Sequence, residues 1–517
     1  MTIIVSDARG SAAADASAIS AGIPSRALLQ RAGAAAAAEI VFRFPQHIQQ
    51  GIVVATGSGN NGGDGWVIAR ALHAVGIPVR VVECKAARTP DAVAERALAI
   101  ADGVPASTDV GALLTGGEQV VVDALIGTGL TSDEPLLGPI AAGVAAMHAL
   151  ARRGRHIVAI DIPTGLDASN GLHVGAPACT LTFTFGTVKR GHLVARDLCG
   201  AIVVLDIGLG AHVSQAGAMR LATADWFRDT LPPISASAHK GTRGKVAIIG
   251  GGAGMSGAVV LAARGAFRTG AGLVKCVVAP ESLHAVQESE PAALTRAWPE
   301  SDNVFAEHVS RWADVLLIGP GLGRADARAI VERALRTFRG PVVLDADALN
   351  TFEGDVDALA PLLGDRAALL TPHPAEFARL AGRDVDEVLL ERFDAPRALA
   401  AKCGATVLLK GVPTIIAAPS GETMVVAEGT PVLATGGSGD VLGGIAATLL
   451  AQTHDALVAG ALAAFAHGRA AAGVSARQVR GYTLEDVVAA LPGVWSPDAP
   501  TRRPPVLAEL PAVGEPV

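Results

Sequence analysis

Cysteine, aromatic residues and positive charge are all scarce in this chain of 517 residues. The five cysteines are odd in number and form no C-x-x-C pair, which excludes a disulfide framework and argues against a zinc site. We expect them to be reduced, buried thiols. A formal net charge of −7 and a single tyrosine argue against nucleic acid as a partner, because non-specific binding needs a basic surface and single strands need aromatic platforms.

Long apolar runs and a targeting segment are missing as well. Half of the residues are hydrophobic, yet no 18-residue stretch is free of polar interruptions. The first residues, MTIIVSDARGSAAAD, lack a basic segment followed by an apolar one, so we expect no secretory signal. The sequence therefore predicts a cytoplasmic protein with no membrane partner.

Short apolar runs alternate with alanine-rich helical stretches along most of the chain, which predicts an α/β fold with parallel sheets. The alternation breaks for about thirty residues after Gly210 and restarts at KVAIIGGGAGMSG, so we place a domain boundary between about 215 and 235. The predicted domains cover residues 1–215 and 225–495. Residues 496–517 are rich in proline, and we expect them to form a disordered tail.

The stretch GSGNNGGDG, residues 57–65, has the G-x-G-x-x-G spacing of a dinucleotide-binding loop. Glu83 lies at the end of the next strand-like run, where a ribose-binding acid would be placed. Asp64 argues against that interpretation, because a carboxylate at a helix N-terminus would repel the pyrophosphate that should bind there. The loop therefore predicts a polar site whose purpose differs from that of an ordinary redox-cofactor site.

Acids and amides follow three apolar runs of the first domain. They are Asn60, Asn61 and Asp64 in one loop, then Asp123, then Asp161. Carboxyl ends of parallel strands meet at one edge of a sheet, where such oxygens can coordinate a hard cation or act as a general base. The alternative is that each acid only caps a helix or turns the chain.

The second domain contains GTPVLATGGSGDVLGG, in which Gly436, Gly437 and Gly439 precede a predicted helix from about 439 to 451. Such a turn can wrap its amides around a phosphate, and Asp440 would lie beside that anion site as a base. The alternative is a plain turn with a favourable helix charge. Lys410–Thr414, KGVPT, offers a cation and exposed amides, and His373 lies between two prolines in TPHPAE.

The motifs GNNGGDG, VVDALIGTGL and IDIPTGLD, in this order over residues 10–210, resemble the NAD(P)H-hydrate epimerase domain, also called the YjeF N-terminal domain. The resemblance implies a Rossmann-like three-layer α/β/α fold, potassium bound by Asn61, Asp123 and Thr164, and proton transfer by Asp161. Thr164 stands where the family has serine, and Gln30 replaces an acid. The substrate would contact Asp161 and two loops, made of Asn60, Asn61, Gly62, Gly63 and Asp64 and of Gly127, Thr128, Gly129, Leu130, Thr131, Ser132 and Asp133.

The motifs HKGTRGKVAIIGG, GMSGAVVLAARGAFRTGAGLV, GPGLG, TPHPAE, KG and ATGGSGD, over about 235–490, resemble the ADP-dependent NAD(P)H-hydrate dehydratases, which have a ribokinase-like α/β fold. The resemblance implies magnesium with ADP, and Asp440 as the catalytic base. Ala375 and Ser438 replace the family's usual glycine and threonine. The hydrate would contact Ala258, Gly321, His373 and Asp440, and ADP would contact Lys410, Gly411, Val412, Pro413, Thr414 and Gly439.

Together the two resemblances imply a bifunctional enzyme that repairs NADH hydrate and NADPH hydrate with ADP as phosphoryl donor. The first domain would interconvert the R and S hydrates, and the second would dehydrate the S form. We also expect a homo-oligomer. Two alternatives stay open from the residues alone: a ribokinase-like kinase for a small molecule such as a vitamin precursor, and a first domain that only binds nucleotide or serves as a scaffold.

Overall fold

A computed structural model describes residues 2–131, 135–214, 217–476, 480–495 and 503–513. These residues divide into two units: one runs to Ala218 and includes the C-terminal segment, and the other begins at Met219 and runs to Trp495. Ser132 and Asp133, two of the predicted substrate contacts, lie outside the described residues.

The first unit is a parallel sheet with helices on both faces. Its strands are β1 Ile3–Ser6, β2 Ile52–Thr56, β3 Val79–Glu83, β4 Ala106–Ser107, β5 Val120–Ala124, β6 His156–Ile160, β7 Leu181–Phe185, β8 Val188–Lys189 and β9 Ala201–Leu205. Its helices are α1 Ala8–Ser20, α2 Ser25–Arg43, α3 Asn60–Ala74, α4 Pro90–Ala101, α5 Gly138–Arg152, α6 Arg190–Val194 and α7 Arg196–Cys199.

The strand order of its main sheet is β9-β7-β6-β5-β2-β3-β4, and β1 pairs in parallel with β8. Along β2, Ile52 and Val54 face the cluster around Trp66, whereas Val53 and Ala55 face the cluster around Met147. Both faces are thus covered, which is why the strand reads as a continuous apolar run. The chain proceeds from β2 to β3 on one side and from β5 to β6 on the other. Such a reversal opens a crevice for ligands at the carboxyl ends of β2 and β5.

The second unit is also a largely parallel sheet covered by helices, and it has its own hydrophobic core. Its strands are β10 Met219–Leu221, β11 Lys245–Ile249, β12 Leu273–Val278, β13 Leu294–Ala297, β14 Val315–Ile318, β15 Val342–Leu344, β16 Ala368–Leu370, β17 Thr406–Leu409, β18 Thr414–Ala417 and β19 Thr423–Val426. Its helices are α8 Ala224–Thr230, α9 Ser256–Thr269, α10 Leu283–Ser289, α11 Asp302–Phe305, α12 Ala327–Thr337, α13 Asp347–Asn350, α14 Val356–Leu363, α15 Pro374–Ala381, α16 Val385–Leu390, α17 Ala395–Cys403, α18 Ser438–Thr453, α19 Ala456–Ser475 and α20 Leu484–Val494.

Its strand order is β13-β12-β11-β14-β15-β16-β17-β18-β19-β10, parallel except for the antiparallel pairs β17-β18 and β18-β19. Helix α18 begins one residue before the predicted start, because Gly437 forms its N-cap. Helix α19 is, within the described part of the chain, the single helix long and apolar enough to cross a membrane, and 78% of its apolar window is buried in this unit. All five cysteines are free and buried, as predicted.

The C-terminal segment corrects the expectation of a disordered tail. Val506–Leu510 forms a strand, β20, which pairs antiparallel with β9 and buries Ala508 and Leu510. An edge strand such as β9 presents unpaired amides and carbonyls that a further strand can satisfy. The proline-rich composition of this segment gives no indication that it pairs with β9. A first domain that ended near residue 215 would therefore lack its edge strand.

Ion pairs connect β20 and the residues before it to helix α2. The carboxylate of Glu39 is fully buried and accepts hydrogen bonds from Arg43, at 2.9 Å, and from Arg503. Arg43 also donates to both carboxylate oxygens of Glu509, at 3.0 and 2.8 Å. The Arg503 guanidinium lies 3.9 Å from the ring centroid of Phe42. A buried carboxylate needs such partners, so this contact is part of the first unit's stability.

Truncating the chain after Trp495 is expected to lower the melting temperature of the first unit. The deletion removes the partner strand of β9 and one of the two arginines of Glu39, and we expect a loss of roughly 3 kcal/mol in the free energy of unfolding. Calorimetry on full-length and truncated chains measures it. Glu509→Gln is the control: its carboxylate is half-exposed, so its loss should cost less than about 1 kcal/mol. An unchanged melting profile after truncation would contradict the prediction.

Candidate active sites

A cavity of about 520 Å³ opens at the crevice of the first unit. Of the predicted substrate residues, its lining includes Asn60, Asn61, Asp64, Gly127, Thr128, Gly129 and Asp161. Gly62 and Gly63 pack inward instead, since a Cβ on Gly62 would lie 2.1 Å from the carbonyl oxygen of Gly57 and one on Gly63 would lie 2.8 Å from Leu29. Leu130 is buried, and Thr131 is exposed beside the undescribed segment.

Asp161 lies at the carboxyl end of β6 in the left-handed conformation, with φ of 66°. This backbone is costly for a non-glycine residue and is often found at functional sites. Its carboxylate Oδ1 accepts a hydrogen bond from Lys189 Nζ at 2.5 Å. Lys189, whose side chain is only 1% exposed, was missed by sequence reasoning, which examined the ends of long strands and not the two-residue strand β8.

Asp64 and Asp15 line the same cavity. Burial raises the pKa of Asp64 well above its usual value, and the negative charge of Asp161 adds to the effect. The pKa of Asp15 is raised by burial, with Lys189 opposing the increase. A raised pKa reduces the tendency of Asp64 to carry a negative charge at the start of α3. This weakens the objection that the sequence raised against a phosphate-bearing ligand at this loop.

Glu83, the acid at the position of a ribose-binding residue, is occupied elsewhere. Its two carboxylate oxygens accept hydrogen bonds from Arg96 at 2.7 and 3.0 Å, and one of them also accepts from the amide of Ala87. Glu83 therefore has a structural role, as the partner of Arg96. The G-x-G-x-x-G spacing of the loop is present without the ribose acid that an ordinary dinucleotide site uses.

Asp123 and Thr164 form a buried polar contact at the ends of β5 and β6. The Asp123 carboxylate accepts from the Thr164 amide at 2.8 Å and from the Thr164 hydroxyl at 2.7 Å. Burial raises the pKa of Asp123, and the bonds from Thr164 oppose the increase. Asn61 is 9% exposed, and neither polar atom of its side chain has a hydrogen-bond partner among the described residues. A buried amide without a partner is unusual in folded proteins.

In the second unit, Gly437 caps α18 with φ of 90°, a conformation that favours glycine. The turn brings Gly439 against two side chains from strand ends, since a Cβ at 439 would lie 2.9 Å from Lys410 Nζ and 3.6 Å from Asp345 Oδ2. Asp440 lies in the first turn of α18. The glycine loop and the KGVPT segment, predicted separately, thus meet at one place.

Lys410 and Asp345 form an ion pair, with Lys410 Nζ 2.6 Å from Asp345 Oδ1. Burial lowers the pKa of Lys410, but Asp345 and Glu376 more than offset it, so the pKa is raised and the side chain is an ammonium. Asp345 was not singled out from the sequence. It directly follows β15, and the rule used for the first domain, that acids at strand ends gather at one edge, would have found it.

Asp440 has the properties of a proton acceptor near neutrality. Burial, followed by the negative charge of Asp345, raises its pKa to about 7, while Lys410 opposes the increase. A carboxyl group with a pKa near the working pH is well suited to general base catalysis. A carboxylate that only interacted with the positive end of the α18 dipole would not need a buried environment that raises its pKa.

His373 is the N-cap residue of α15, and its side chain is half-exposed. Its Nδ1 accepts from the amides of Ala375 and Glu376, at 3.2 and 3.3 Å, while the Glu376 carboxylate accepts from the His373 amide at 2.9 Å. Burial and then Lys410 lower the pKa of His373, so the imidazole is neutral at neutral pH. Nδ1 therefore faces the helix amides, and Nε2 lies 3.5 Å from Oε1 of Glu376.

Two further predicted contacts, Ala258 and Gly321, are neighbours: a Cβ at 321 would lie 3.0 Å from that of Ala258. Leu261, one turn later on α9, would contact a Cβ at Gly437. In the KGVPT segment, Gly411 and Val412 are exposed, whereas Pro413 and Thr414 are buried where β18 begins. His467 on α19 was also missed; burial and Lys410 lower its pKa to about 4, and its Nε2 has no partner in the structure.

The comparisons with known proteins cover both units. Residues 25–191 match the family described as YjeF-related protein N-terminus, and residues 246–493 match NAD(P)H-hydrate dehydratase. The bifunctional NAD(P)H-hydrate repair enzyme of Salinibacter ruber is 37% identical over 87% of this chain and 88% of its own. That of Moorella thermoacetica is 36% identical over 89% of each. A crystal structure of the ADP/ATP-dependent NAD(P)H-hydrate dehydratase from Bacillus subtilis has 29% identity, a TM-score of 0.46, and coverage of 53% of this chain and 96% of its own.

Both units are α/β, each with a largely parallel sheet, and their sequences match the two domains of a two-domain enzyme. The chain belongs to the family of the bifunctional NAD(P)H-hydrate repair enzymes. It has both domains of that family, an epimerase domain followed by a dehydratase domain. The alternative of a ribokinase-like small-molecule kinase with a first domain that only binds nucleotide is therefore not supported.

Proposed function

We propose that the epimerase domain, residues 1–215 completed by β20, interconverts the R and S hydrates of NADH and NADPH. In the same proposal, the dehydratase domain, residues 225–495, returns the S hydrate to the reduced cofactor with ADP. The supporting observation is that each unit places a carboxylate, Asp161 or Asp440, beside a glycine-bearing loop and a buried or partly buried lysine at the carboxyl ends of its strands. In line with the sequence, we further propose a cytoplasmic homo-oligomer.

Epimerisation inverts C6 of the hydrated ring, a carbon that carries a hydroxyl group and the ring nitrogen N1. Asp161 would take the hydroxyl proton while the C6–N1 bond breaks, its electron pair passing to N1 and the conjugated carboxamide. Closure of the ring on the other face of the C6 carbonyl then returns the proton from Asp161 to oxygen. Atoms and charge balance, and one carboxylate suffices as base and acid. The loops at Asn60–Asp64 and Gly127–Thr131 would hold the nucleotide portion.

The buried side chain of Asn61, which has no hydrogen-bond partner among the described residues, supports the proposal of a potassium ion. Its amide oxygen, together with the oxygens of Asp123 and Thr164, would supply the hard oxygen ligands that such a cation prefers. The buried charge of Asp123 also calls for a cation, since burial already raises its pKa. When bound, potassium would supply a positive charge that stabilises the substrate-binding loops. We propose Asn61, Asp123 and Thr164 as its ligands.

Dehydration would begin with Asp440 taking the C6 hydroxyl proton of the S hydrate as that oxygen attacks the terminal phosphoryl group of ADP. An O–P bond forms at C6 and the bond to AMP breaks. The lone pair on N1 then expels phosphate, and loss of the C5 proton restores the C5=C6 double bond. Ala258, Gly321 and His373 would contact the hydrate, while Lys410–Thr414 and Gly439 would contact ADP, whose phosphates suit the amides at the start of α18.

Magnesium would be carried largely by the nucleotide. Among the described residues, no group of three or more His, Cys, Asp and Glu side chains could hold a metal ion. This agrees with an ion held through phosphate oxygens and one or two carboxylates, as is usual for magnesium with nucleotides. When bound, it would offset charge on the transferring phosphoryl group. Asp345 and Asp440 are the carboxylates of this site nearest the glycine loop.

The test is recovery of reduced-nicotinamide absorbance from separately prepared S and R NADPH hydrate with ADP and magnesium. The S hydrate should recover by dehydration alone, and the R hydrate should recover faster than its uncatalysed epimerisation allows. Replacing potassium by a bulky organic cation should slow only the recovery of the R hydrate. Recovery of the S but not the R hydrate would overturn the epimerase role, and equal rates with and without potassium would overturn the proposed ion site.

A further inference from the structure

We propose that Lys189 is a positioning residue of the epimerase, which holds one carboxylate oxygen of Asp161 so that the other oxygen is turned to the substrate. The inference rests on the proposed function of the first unit and adds a residue to it. Lys189 belongs to β8 and lines the cavity, although its side chain is only 1% exposed. An ammonium buried to this extent is costly unless a charged partner is held against it.

The hydrogen bonds of Lys189 fix the direction of its ammonium group. Nζ donates to Asp161 Oδ1 at 2.5 Å and to the hydroxyl of Thr184 at 2.7 Å. The Thr184 hydroxyl in turn donates to the carbonyl oxygen of Thr187 at 3.1 Å, so its lone pairs are free to accept from Lys189. Because each member of this chain has a fixed role as donor or acceptor, the carboxylate of Asp161 is held in one orientation.

The same orientation presents the other oxygen of Asp161 to the substrate loop. Oδ2 lies 3.1 Å from the position that a Cβ would take on Gly127, and Gly127 lines the cavity. Lys189 thus holds Oδ1 at the back of the site, while Oδ2 faces the place where the hydrated ring would bind. The left-handed backbone of Asp161, whose N–H donates a hydrogen bond to the carbonyl oxygen of Phe183 at 2.7 Å, keeps this geometry.

The surroundings make Asp161 the counter-charge of Lys189. Asp15 and Asp64 have raised pKa values because of burial, and burial together with Lys189 lowers the pKa of the buried His192 to about 3. These shifts disfavour charge on Asp15, Asp64 and His192, whereas Lys189 Nζ donates directly to Asp161. The ammonium of Lys189 therefore has the carboxylate of Asp161 as its direct ionic partner.

The experiment compares Lys189→Met, Lys189→Arg and Lys189→Ala in the full-length chain. We expect kcat of epimerisation to fall roughly 100-fold in the Met and Ala variants, as for a misplaced catalytic group, with KM changed by less than about threefold. The Arg variant should keep part of the activity because it retains the charge. Methylammonium chloride should restore epimerisation in the Ala variant, in proportion to its occupancy of the space that the side chain leaves.

Internal controls separate this role from a structural one. Dehydration of the S hydrate by the same variants reports on the assay and the second unit, and Lys402→Met, an exposed lysine of the second unit, controls for loss of one charge. Epimerisation within threefold of the parent in the Met and Ala variants would overturn the proposal. So would a loss that methylammonium does not restore and that follows a lower melting temperature. If the parent chain itself does not epimerise the R hydrate, the proposed function of the first unit is wrong. That result differs from the two outcomes above, which concern only the Lys189 variants.

Discussion

Asp440→Asn is expected to abolish dehydration while leaving epimerisation and ADP binding nearly unchanged. The substitution keeps the size of the side chain and the glycine amides of the loop, but it removes the carboxylate that takes the hydroxyl proton. A general base contributes roughly 100- to 10,000-fold, so the activation free energy should rise by about 3 to 5 kcal/mol. Calorimetric titration with ADP and turnover of the S hydrate, measured on one preparation, check both halves of the expectation.

The pH dependence gives a second measure of Asp440. The pKa of its carboxyl is raised to about 7, so the base form increases as pH rises through 7, and kcat/KM for the S hydrate should increase with it. Asp440→Asn should leave a residual rate without this step. Asp455→Asn is a matched control, because it makes the same substitution at the N-cap of α19, where asparagine can cap as well. This cap lies about 18 Å along α19 from His467, the residue of that helix whose pKa is lowered by burial and by Lys410 of the site. Lost ADP affinity in the Asp440 variant, or unchanged turnover, would contradict the base role.

Asp161→Asn is expected to reduce epimerisation of the R hydrate by roughly 100- to 10,000-fold, with dehydration of the S hydrate intact. The amide keeps an oxygen that can accept from Lys189, so the shape of the site is retained. What is lost is the charge, which leaves a buried ammonium without its counter-ion. The melting temperature of the first unit should therefore fall as well, by an amount that corresponds to about 3 to 5 kcal/mol.

A double variant distinguishes the two effects. In Asp161→Asn with Lys189→Met both charges are gone, and the side chains occupy similar volumes, so much of the lost stability should return. Epimerisation should stay as low as in the single variant, because the base is still missing. The measurements are calorimetric melting and R-to-S conversion. If activity returned together with stability, Asp161 would be a structural partner of Lys189 and not the base.

The strand-end cluster of the first domain could be predicted because the rule behind it is local. A buried parallel strand is a short apolar run, and its carboxyl end is marked by the next polar residue, as at Asp123 and Asp161. The glycine turn before α18 was equally visible, since Gly437 adopts a conformation that other residues rarely tolerate. The start of β20 was not visible, because its only reason to form is the unpaired edge of β9 and the buried carboxylate of Glu39, some 300 and 470 residues away in the chain.

The sequence by itself determined the two α/β units, the family, and one acid for each site, because strand periodicity and motif spacing are properties of neighbouring residues. Only the tertiary structure decided which charges meet those acids. Lys189 is an ordinary lysine in the sequence, and Lys410 was predicted only as a cation for ADP. Their ion-pair partners are carboxylates that lie 28 and 65 positions away. Burial at the edge of a sheet then sets the outcome: it removes water from the charges, so that the partner which the fold supplies decides whether a carboxyl group is a base, an acid or a structural contact.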